Sequence, residues 1–584
     1  MPDTVWSRLL QRATAEPGSV AILQKRFGLW TETSSAALVG RAGRTALALR
    51  DEGVGRGDVI ALVLAPHEDR VVIDLAAQLV GAQVVGIATG TPLETVRHIL
   101  ADAAPRFAVV QGQAAADGIL ELIDAGALPT LERMWYLDPA GVQEYVATVL
   151  APFPEVAAEG SPPAALEGMV AEIAPDAPAV RNHTSGTTGL PTPVVLTHAN
   201  LLAAAEATVA AFGLGAGDRV LSFRPLSDPV ERGATLFPAL LSGATLVLPE
   251  SRTSVGQAMV EVAPTYLHLT SRFVEELATD VRLRMQAAHG GKRVVVRSRN
   301  RRVGAAADAG RTPQPSVISR ALVGRPVLAK LGLDQVRWLL VSGTAISPEA
   351  LAFFAALGVR VRPAYSCAEA GGIAMAATAA EATDDQALQP LPGVEVRVVD
   401  DELQLRGAPI AVPDGTDGWL RTGDRAEEVA AGTVVTGRVG QVVATPGGRA
   451  VTAQQLAARL RSSPYIKEAV AVRESDALVA VLEPAIPTIG RWASRQGLRF
   501  TTPRSLLERP EVRDLLERAT TAAAERLDVR VDEVRVLGEP LGVRTGTLTF
   551  TEKAIADAVL AAPLVSRAAS PTAPTASPEG APAR

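Results

Sequence analysis

The 584-residue sequence has one cysteine, five lysines and an aromatic content of 4%. A single thiol, Cys367, excludes an intrachain disulfide framework and fits a reducing compartment, so a cytoplasmic location is expected. Long uninterrupted apolar runs are also missing. The most apolar stretch, residues 71–88, is broken by Asp74, Gln78 and Gln83. That pattern predicts a buried helix followed by a buried strand, and at most peripheral contact with a membrane. The opening residues, MPDTVWSRLLQRATAEPG, lack the apolar core of a secretory leader. There is no excess of positive charge: 57 basic residues face 63 acidic ones, net −6, which gives no support for a nucleic-acid partner. Several catalytic patterns are absent as well. There is no G-x-S-x-G and no C-x-x-C, PHEDR lacks a second His, and the six histidines have no metal-ligand spacing. GVGRGD, from Gly53, precedes a strand-like run instead of following one, so it is not a dinucleotide loop.

What is present is 47% apolar and 21% charged, the balance of a folded globular enzyme. The length requires more than one core. Over the first 150 residues helix-like and strand-like segments alternate: DVIALVLA, QVVGIA and RFAVVQG read as buried strands between amphipathic helices. This βαβ rhythm predicts an α/β fold with mostly parallel sheets. A Pro-rich stretch leads to residue 183, and the rhythm then resumes with a helix over 199–213. Residues 284–314, containing KRVVVRSRNRR, are strongly basic and read as a solvated insertion. VEVRVVDDELQLRG predicts two strands about an Asp-Asp turn. A smaller α+β portion follows, and the last residues are Ser/Pro/Ala-rich and expected to be disordered. The expected organisation is a large domain over 1–437, a small mobile domain over 438–563 and a tail over 564–584.

One loop carries chemistry. In HTSGTTGLPTPVVLTHANL, residues 184–189 combine four hydroxyls with two glycines, a composition suited to holding a polyphosphate. With its neighbours the loop resembles the phosphate loop of the adenylate-forming superfamily, which includes acyl-CoA synthetases, luciferases and peptide-synthetase adenylation domains. Further segments resemble that superfamily in its order: RPLSDPVER at 224–232, SRFVEEL at 271–277, LLVSGTAISPEALAFFAALGVRVRPAYSCAEAGG at 339–372, DGWLRTGD at 417–424, GRVGQVVATPGGRAV from 437 and GTLTFTEKAIA from 546. The segments at 224–232 and 546–556 are most similar to the long-chain fatty-acid–CoA ligase branch. The resemblance spans roughly residues 15–560.

The resemblance implies ATP-dependent activation of a fatty carboxylic acid to acyl-AMP, then transfer to the CoA thiol, with Mg²⁺ accompanying ATP. It implies a role for each matching residue. Thr184, Ser185, Gly186, Thr187, Thr188 and Gly189 would bind phosphates. Glu369 would help hold Mg²⁺, and Lys553 would bridge the carboxylate and the α-phosphate. Tyr365 would stack on adenine, with Gly343 and Thr344 walling the pocket. Asp424 would accept the ribose hydroxyls, with Arg438 beside it. Gly440 would be the pivot of the second domain, and Gly447 with Gly448 would line the CoA channel. With so few lysines in the chain, one at position 553 carries weight, since Lys and Arg are not equivalent. His198 reads as packing or capping the next helix, and Cys367 as inert packing.

The chain departs from the pattern around the phosphates. Thr192-Pro193 replaces Lys-Gly, Ala368 replaces Thr, Ser366 replaces Gly, His183 replaces an aromatic residue and Asp228 replaces His. These changes imply a slow ligase with poor ATP affinity. They also keep open two alternatives: a catalytically impaired relative that binds an acyl chain or nucleotide, and an acyl-AMP ligase that loads an acyl carrier protein.

Overall fold

The computed structural model describes residues 2–142, 148–154, 164–184, 191–225, 227–286, 320–378, 386–413, 415–543, 545–549 and 553–569. Loop residues Ser185, Gly186, Thr187, Thr188 and Gly189, most of the basic segment, and the tail from 570 lie outside them. The described chain forms two compact units. One comprises 1–439 with 542–555, the other 440–541 with the residues from 556 onward. This corrects the expected boundaries in two places. Residues 542–555, which carry Lys553, fold with the large unit and not with the small one. Leu564–Ala569, expected to begin a disordered tail, is a strand antiparallel to Glu533–Leu537.

The large unit holds two large sheets and a smaller one. The seven-stranded sheet places Val59–Val63, Gln83–Ile87 and Phe107–Val110 at its parallel centre. These strands are buried on both faces, which is why each reads as an unbroken apolar run. At its edge, Pro178–His183 and Pro193–Thr197 pair antiparallel on either side of the candidate phosphate loop. The nine-stranded sheet is parallel through Val20–Arg26, Thr245–Leu248, Arg219–Leu221, Tyr266–Thr270, Trp338–Ser342 and Val361–Cys367. One core fills the space that includes Trp6, Ile22, Leu38, Leu75, Leu201 and Phe237, and a second, including Phe223, Leu267, Leu339 and Phe354, fills its own cluster.

Local chemistry sets the elements. Helix His198–Phe212 starts at a capping box between Thr197 and Asn200 and stops at Gly213, which takes the left-handed conformation at φ 57°. His198 is therefore the first helical residue, and Thr197 is the cap. The expected Asp-Asp turn joins Val394–Val399 to Glu402–Gly407. Asp400 and Asp401 have φ 50° and 65°, the positive values that a two-residue hairpin turn matching the strand twist requires.

A charged seam runs through the large unit's interior. Arg70, Asp74 and Gln78 sit four residues apart on helix Glu68–Leu79, so they share one face, and all three are buried. Arg232 donates to both carboxylate oxygens of Asp74, at 3.0 Å each. Beside it, Glu231 is fully buried against the Ser222 hydroxyl. Burial pushes its carboxyl up to about 7, with Arg224 and Ser222 opposing the shift. The folded protein thus binds this proton more tightly than the unfolded chain. The associated stability is present at low pH and is lost as pH rises through about 7. Between pH 5 and pH 8 the loss should be about 2–3 kcal/mol. Urea denaturation of Glu231→Gln at both pH values checks this: the pH-dependent loss should shrink by that amount, and an unchanged loss would point to another group.

Candidate active site

Gly343, Thr344, Tyr365 and Glu369 lie towards or just beyond the carboxyl ends of two neighbouring strands of the nine-stranded sheet, where open α/β sheets form their crevices. Thr184, by contrast, follows a strand of the seven-stranded sheet, and Gly440, Gly447 and Gly448 lie in the small unit. Strand Val361–Cys367 delivers Tyr365, and strand Trp338–Ser342 ends one residue before Gly343. A neighbouring antiparallel pair, Leu420–Val429 and Gly432–Arg438, sets Asp424 directly opposite Arg438. Their side chains pair at 3.4 Å, and Arg438 also donates to the Thr422 carbonyl at 2.8 Å. The Tyr365 hydroxyl donates to Asp424 at 2.6 Å. Burial, with the Asp424 charge adding to it, pushes the Tyr365 phenol well above its ordinary value, so it stays a donor. Asp424 keeps unused lone pairs on both oxygens, because each can accept two hydrogen bonds. Gly423, at φ 70°, makes the turn into this arrangement, and a Cβ there would be 3.2 Å from the Arg438 guanidinium.

Lys553 reaches the same place. Its Cε is 3.6 Å from where a Cβ on Gly343 would stand, an ordinary van der Waals distance, so the lysine lies alongside Gly343, whose φ of 103° is what favours glycine there. Its backbone is braced by reciprocal bonds with Thr549: Lys553 N–H donates to the Thr549 hydroxyl at 3.1 Å, and Thr549 N–H donates to the Lys553 carbonyl at 2.8 Å. Burial lowers the pKa of the ammonium. Asp424 and Asp228 oppose the shift, and Arg438 and Arg224 add to it. Thr344 accepts a 2.5 Å bond from Ser271 through its carbonyl.

Glu369 follows on the turn after the strand. Its side chain is partly exposed, and its carbonyl accepts from Ala411 N–H at 2.7 Å. Cys367 lies beside it, and burial reinforced by the Glu369 charge pushes the thiol well up, which fits an unreactive packing residue. Among the described residues no three His, Cys, Asp or Glu side chains converge on a metal position. A single carboxylate is nevertheless what a Mg²⁺ carried by nucleotide phosphates asks of a protein, so Glu369 fits that ion.

Thr184 and Thr192 close the base of the candidate phosphate loop: Thr184 N–H donates to the Thr192 carbonyl at 2.8 Å, and the two hydroxyls lie 3.0 Å apart. The threonine that stands in place of lysine is thus spent on the loop's own frame. His98 donates to the Pro191 carbonyl at 2.8 Å, and His183 contacts Asp102 at 3.0 Å. His198 is buried and its Nδ1 has no partner among the described residues. Burial lowers its pKa to about 4, so it packs as a neutral ring.

A close backbone approach joins the 224–232 segment to the Tyr365 turn. Gly233 N–H donates to the Gly371 carbonyl at 3.1 Å, and a Cβ on Gly233 would stand 2.4 Å from that oxygen. Sequence reasoning did not assign Arg224, His268 or Ser342 to the site. The structure joins them: Arg224 pairs with Asp228 and lies 3.2 Å from His268 Nδ1, and His268 Nε2 lies 2.7 Å from Ser342. Arg224 and Asp228 stand in the 224–232 motif and Ser342 in the 339–372 motif, which were the signals available; His268 lies in neither.

In the small unit, Gly440 sits in the turn Val439–Gln441, and a Cβ there would meet nothing within 4 Å. Gly447 and Gly448 take φ 57° and 84°, also with open space about them. Among the described residues no helix is long and apolar enough to cross a membrane.

Residues 9–419 match the family model described as AMP-binding enzyme. The chain is 26% identical over 504 residues to the long-chain-fatty-acid–CoA ligase FadD15 of Mycobacterium bovis, covering 82% of each chain. Among solved structures it is similar to the A domain of a carboxylic acid reductase from Segniliparus rugosus, a complex with AMP and a co-purified carboxylic acid. That match has TM-score 0.71 and 18% identity, and covers 96% of this chain and 92% of that one. The anthranilate CoA ligase AuaEII, solved with anthranoyl-AMP, matches with TM-score 0.69 at 17% identity over 96% and 98% of the two chains.

Proposed function

The chain belongs to the AMP-binding enzyme family of adenylate-forming ligases, and on that premise we propose that it activates a fatty, long-chain carboxylic acid with ATP and passes the acyl group to CoA. In the first step a carboxylate oxygen attacks the α-phosphorus of ATP. A new P–O bond forms, the bond to the β-phosphate oxygen breaks, and pyrophosphate leaves. In the second, the CoA sulfur attacks the acyl carbonyl, the bond to AMP breaks and the thiol proton is lost.

The chemistry brings two anions together, so cationic and donor groups must wait where charge builds up. Lys553 would hold the carboxylate against the α-phosphate. Asp424, fixed by Tyr365 and Arg438, would accept the ribose hydroxyls, and the Tyr365 ring with Gly343 and Thr344 would flank adenine. Thr184 and the loop beyond it would take the outer phosphates. Glu369 would hold Mg²⁺, which when bound neutralises phosphate charge. Gly440 would serve as the pivot and Gly447 with Gly448 as the wall for the pantetheine arm. The observation that carries this reading is the placement of Lys553 beside Gly343, among Asp424, Arg438 and Asp228, inside one unit. The matching experiment is product analysis: incubation with ATP, Mg²⁺, palmitate and CoA should yield AMP and palmitoyl-CoA. AMP with an acylated carrier protein, but none with CoA, would favour the carrier-loading alternative.

Asp424→Ala should raise the KM for ATP about tenfold or more and leave that for the acid within about twofold, since charged hydrogen bonds of this kind are worth about 1.5–3 kcal/mol. Steady-state kinetics with each substrate varied in turn checks this. An equal rise for both substrates would mean that the site as a whole had been disturbed.

A further inference from the structure

Asp228, Arg224, His268, Ser342 and Ser366 form one continuous polar line. Arg224 pairs with Asp228 and lies 3.2 Å from His268 Nδ1; His268 Nε2 lies 2.7 Å from the Ser342 hydroxyl; Ser366 donates to Ser342 at 3.0 Å. The direction of the protons follows from the inventory of each group. A guanidinium can only donate, so His268 Nδ1 accepts, and its single proton sits on Nε2. Burial keeps that ring neutral, with Arg224 adding to the effect. Ser342 therefore accepts from His268 and again from Ser366. Both its lone pairs are spent, and its own O–H remains as a donor.

Arg224 follows strand Arg219–Leu221, and His268, Ser342 and Ser366 lie on the next three strands of the sheet, so at about 4.8 Å per strand the line spans about 14 Å. That is far longer than one carboxylate. It passes beside the reacting position, because Ser342 precedes Gly343, against which Lys553 lies. Next to Asp228, the Ser227 hydroxyl is buried and has no hydrogen-bond partner among the described residues. A bare methylene chain would leave the spare Ser342 and Ser227 groups unanswered, a cost that an oxygen on the ligand would remove.

We propose that this line is the specificity wall of the acyl site, and that the preferred acid carries an oxygen substituent, hydroxyl or oxo, within a few bonds of its carboxylate. Ser342 is the donor to that oxygen, and Arg224 with His268 orients it. The proposal rests on the acid-activating reading and narrows it.

The test uses matched acids on the full-length protein: palmitate against 2-hydroxy- and 3-hydroxypalmitate, and benzoate against 2-hydroxybenzoate. In acid-dependent pyrophosphate exchange at least one hydroxylated member should exceed its parent about tenfold in kcat/KM, chiefly through KM. Equal or higher values for every unsubstituted parent would overturn the proposal while leaving acid activation intact. Calorimetry of the same acids without nucleotide separates the two readings. If no acid supports exchange, tighter binding of a hydroxylated member sustains the wall while activation fails, and equal binding of the pairs removes both. In the paired variant Arg224→Leu with Asp228→Asn, which avoids a lone buried charge, the ratio should fall to within about twofold. Persistence of the wild-type ratio in a variant with unchanged thermal unfolding would contradict the assignment.

Discussion

Replacing Lys553 with alanine is expected to lower acid-dependent ATP–pyrophosphate exchange by about two to three orders of magnitude, the usual cost of removing one donor aimed at developing charge. Thiol transfer from supplied acyl-adenylate should stay within a few-fold of wild type. The asymmetry follows from what the ammonium would do. It would offset repulsion between a carboxylate and a triphosphate, and that repulsion exists only before pyrophosphate has left. Arginine should not rescue the variant: a broad, planar guanidinium does not reproduce the compact point charge that the ammonium would place beside Gly343. The same group should set the alkaline limit of the first step. Burial holds its pKa below that of an ordinary lysine, and the protonated form is the useful one, so exchange should decline as pH rises through that lowered value. The check is the two half-reactions measured separately on one preparation. Equal loss in both would remove the assigned role.

Arg232→Ala should destabilise the large unit by about 3–5 kcal/mol, because it removes both hydrogen bonds that Arg232 gives the buried Asp74 carboxylate and leaves Arg70, on the same helix face, as the nearby countercharge. The pair is among the least accessible in the molecule, with side-chain exposures of 1% and 0%. Both carboxylate oxygens are taken by one guanidinium fork, so no water-facing rearrangement is at hand. Asp74→Ala should cost a similar amount for the mirror reason. Replacing both, with Asp74→Leu and Arg232→Met, should recover most of the loss, since apolar groups of similar volume need no partner. Urea denaturation followed by tryptophan fluorescence reports on this directly, as Trp6 and Trp135 lie buried in the same unit. A double replacement as unstable as either single one would show that the pair does more than satisfy itself.

The α/β class was legible because the central strands are buried on both faces, and runs such as VIALV and FAVV leave little else to be. The family was legible because its motifs combine residue types that phosphate and adenylate chemistry needs, in a fixed order. Contacts between distant segments were not. Arg232 and Asp74 are 158 positions apart, and Arg224 meets His268 across 44, so no local period announces either. The line through Ser342 is built largely from positions that, one at a time, read as departures from the pattern or as plain strand residues. Placement of 542–555 with the large unit was hidden for another reason: chain continuity suggested the small one, and the contacts that assign it to the large one join segments far apart in sequence. Strand Leu564–Ala569 was missed because Ser, Arg and Ala are weak strand formers, and its pairing with Glu533–Leu537 overrides that weakness.

The central claim is that this pocket makes acyl-adenylate despite Thr192 and Ala368, where the pattern has Lys and Thr. The most direct measurement is incorporation of labelled pyrophosphate into ATP across a panel of carboxylic acids with Mg²⁺ and without CoA. The account predicts acid-dependent exchange, slow but well above the no-acid background and lost in Lys553→Ala. No exchange with any acid, from protein that melts cooperatively and still binds ATP, would contradict it and leave a nucleotide-binding relative in place of a ligase.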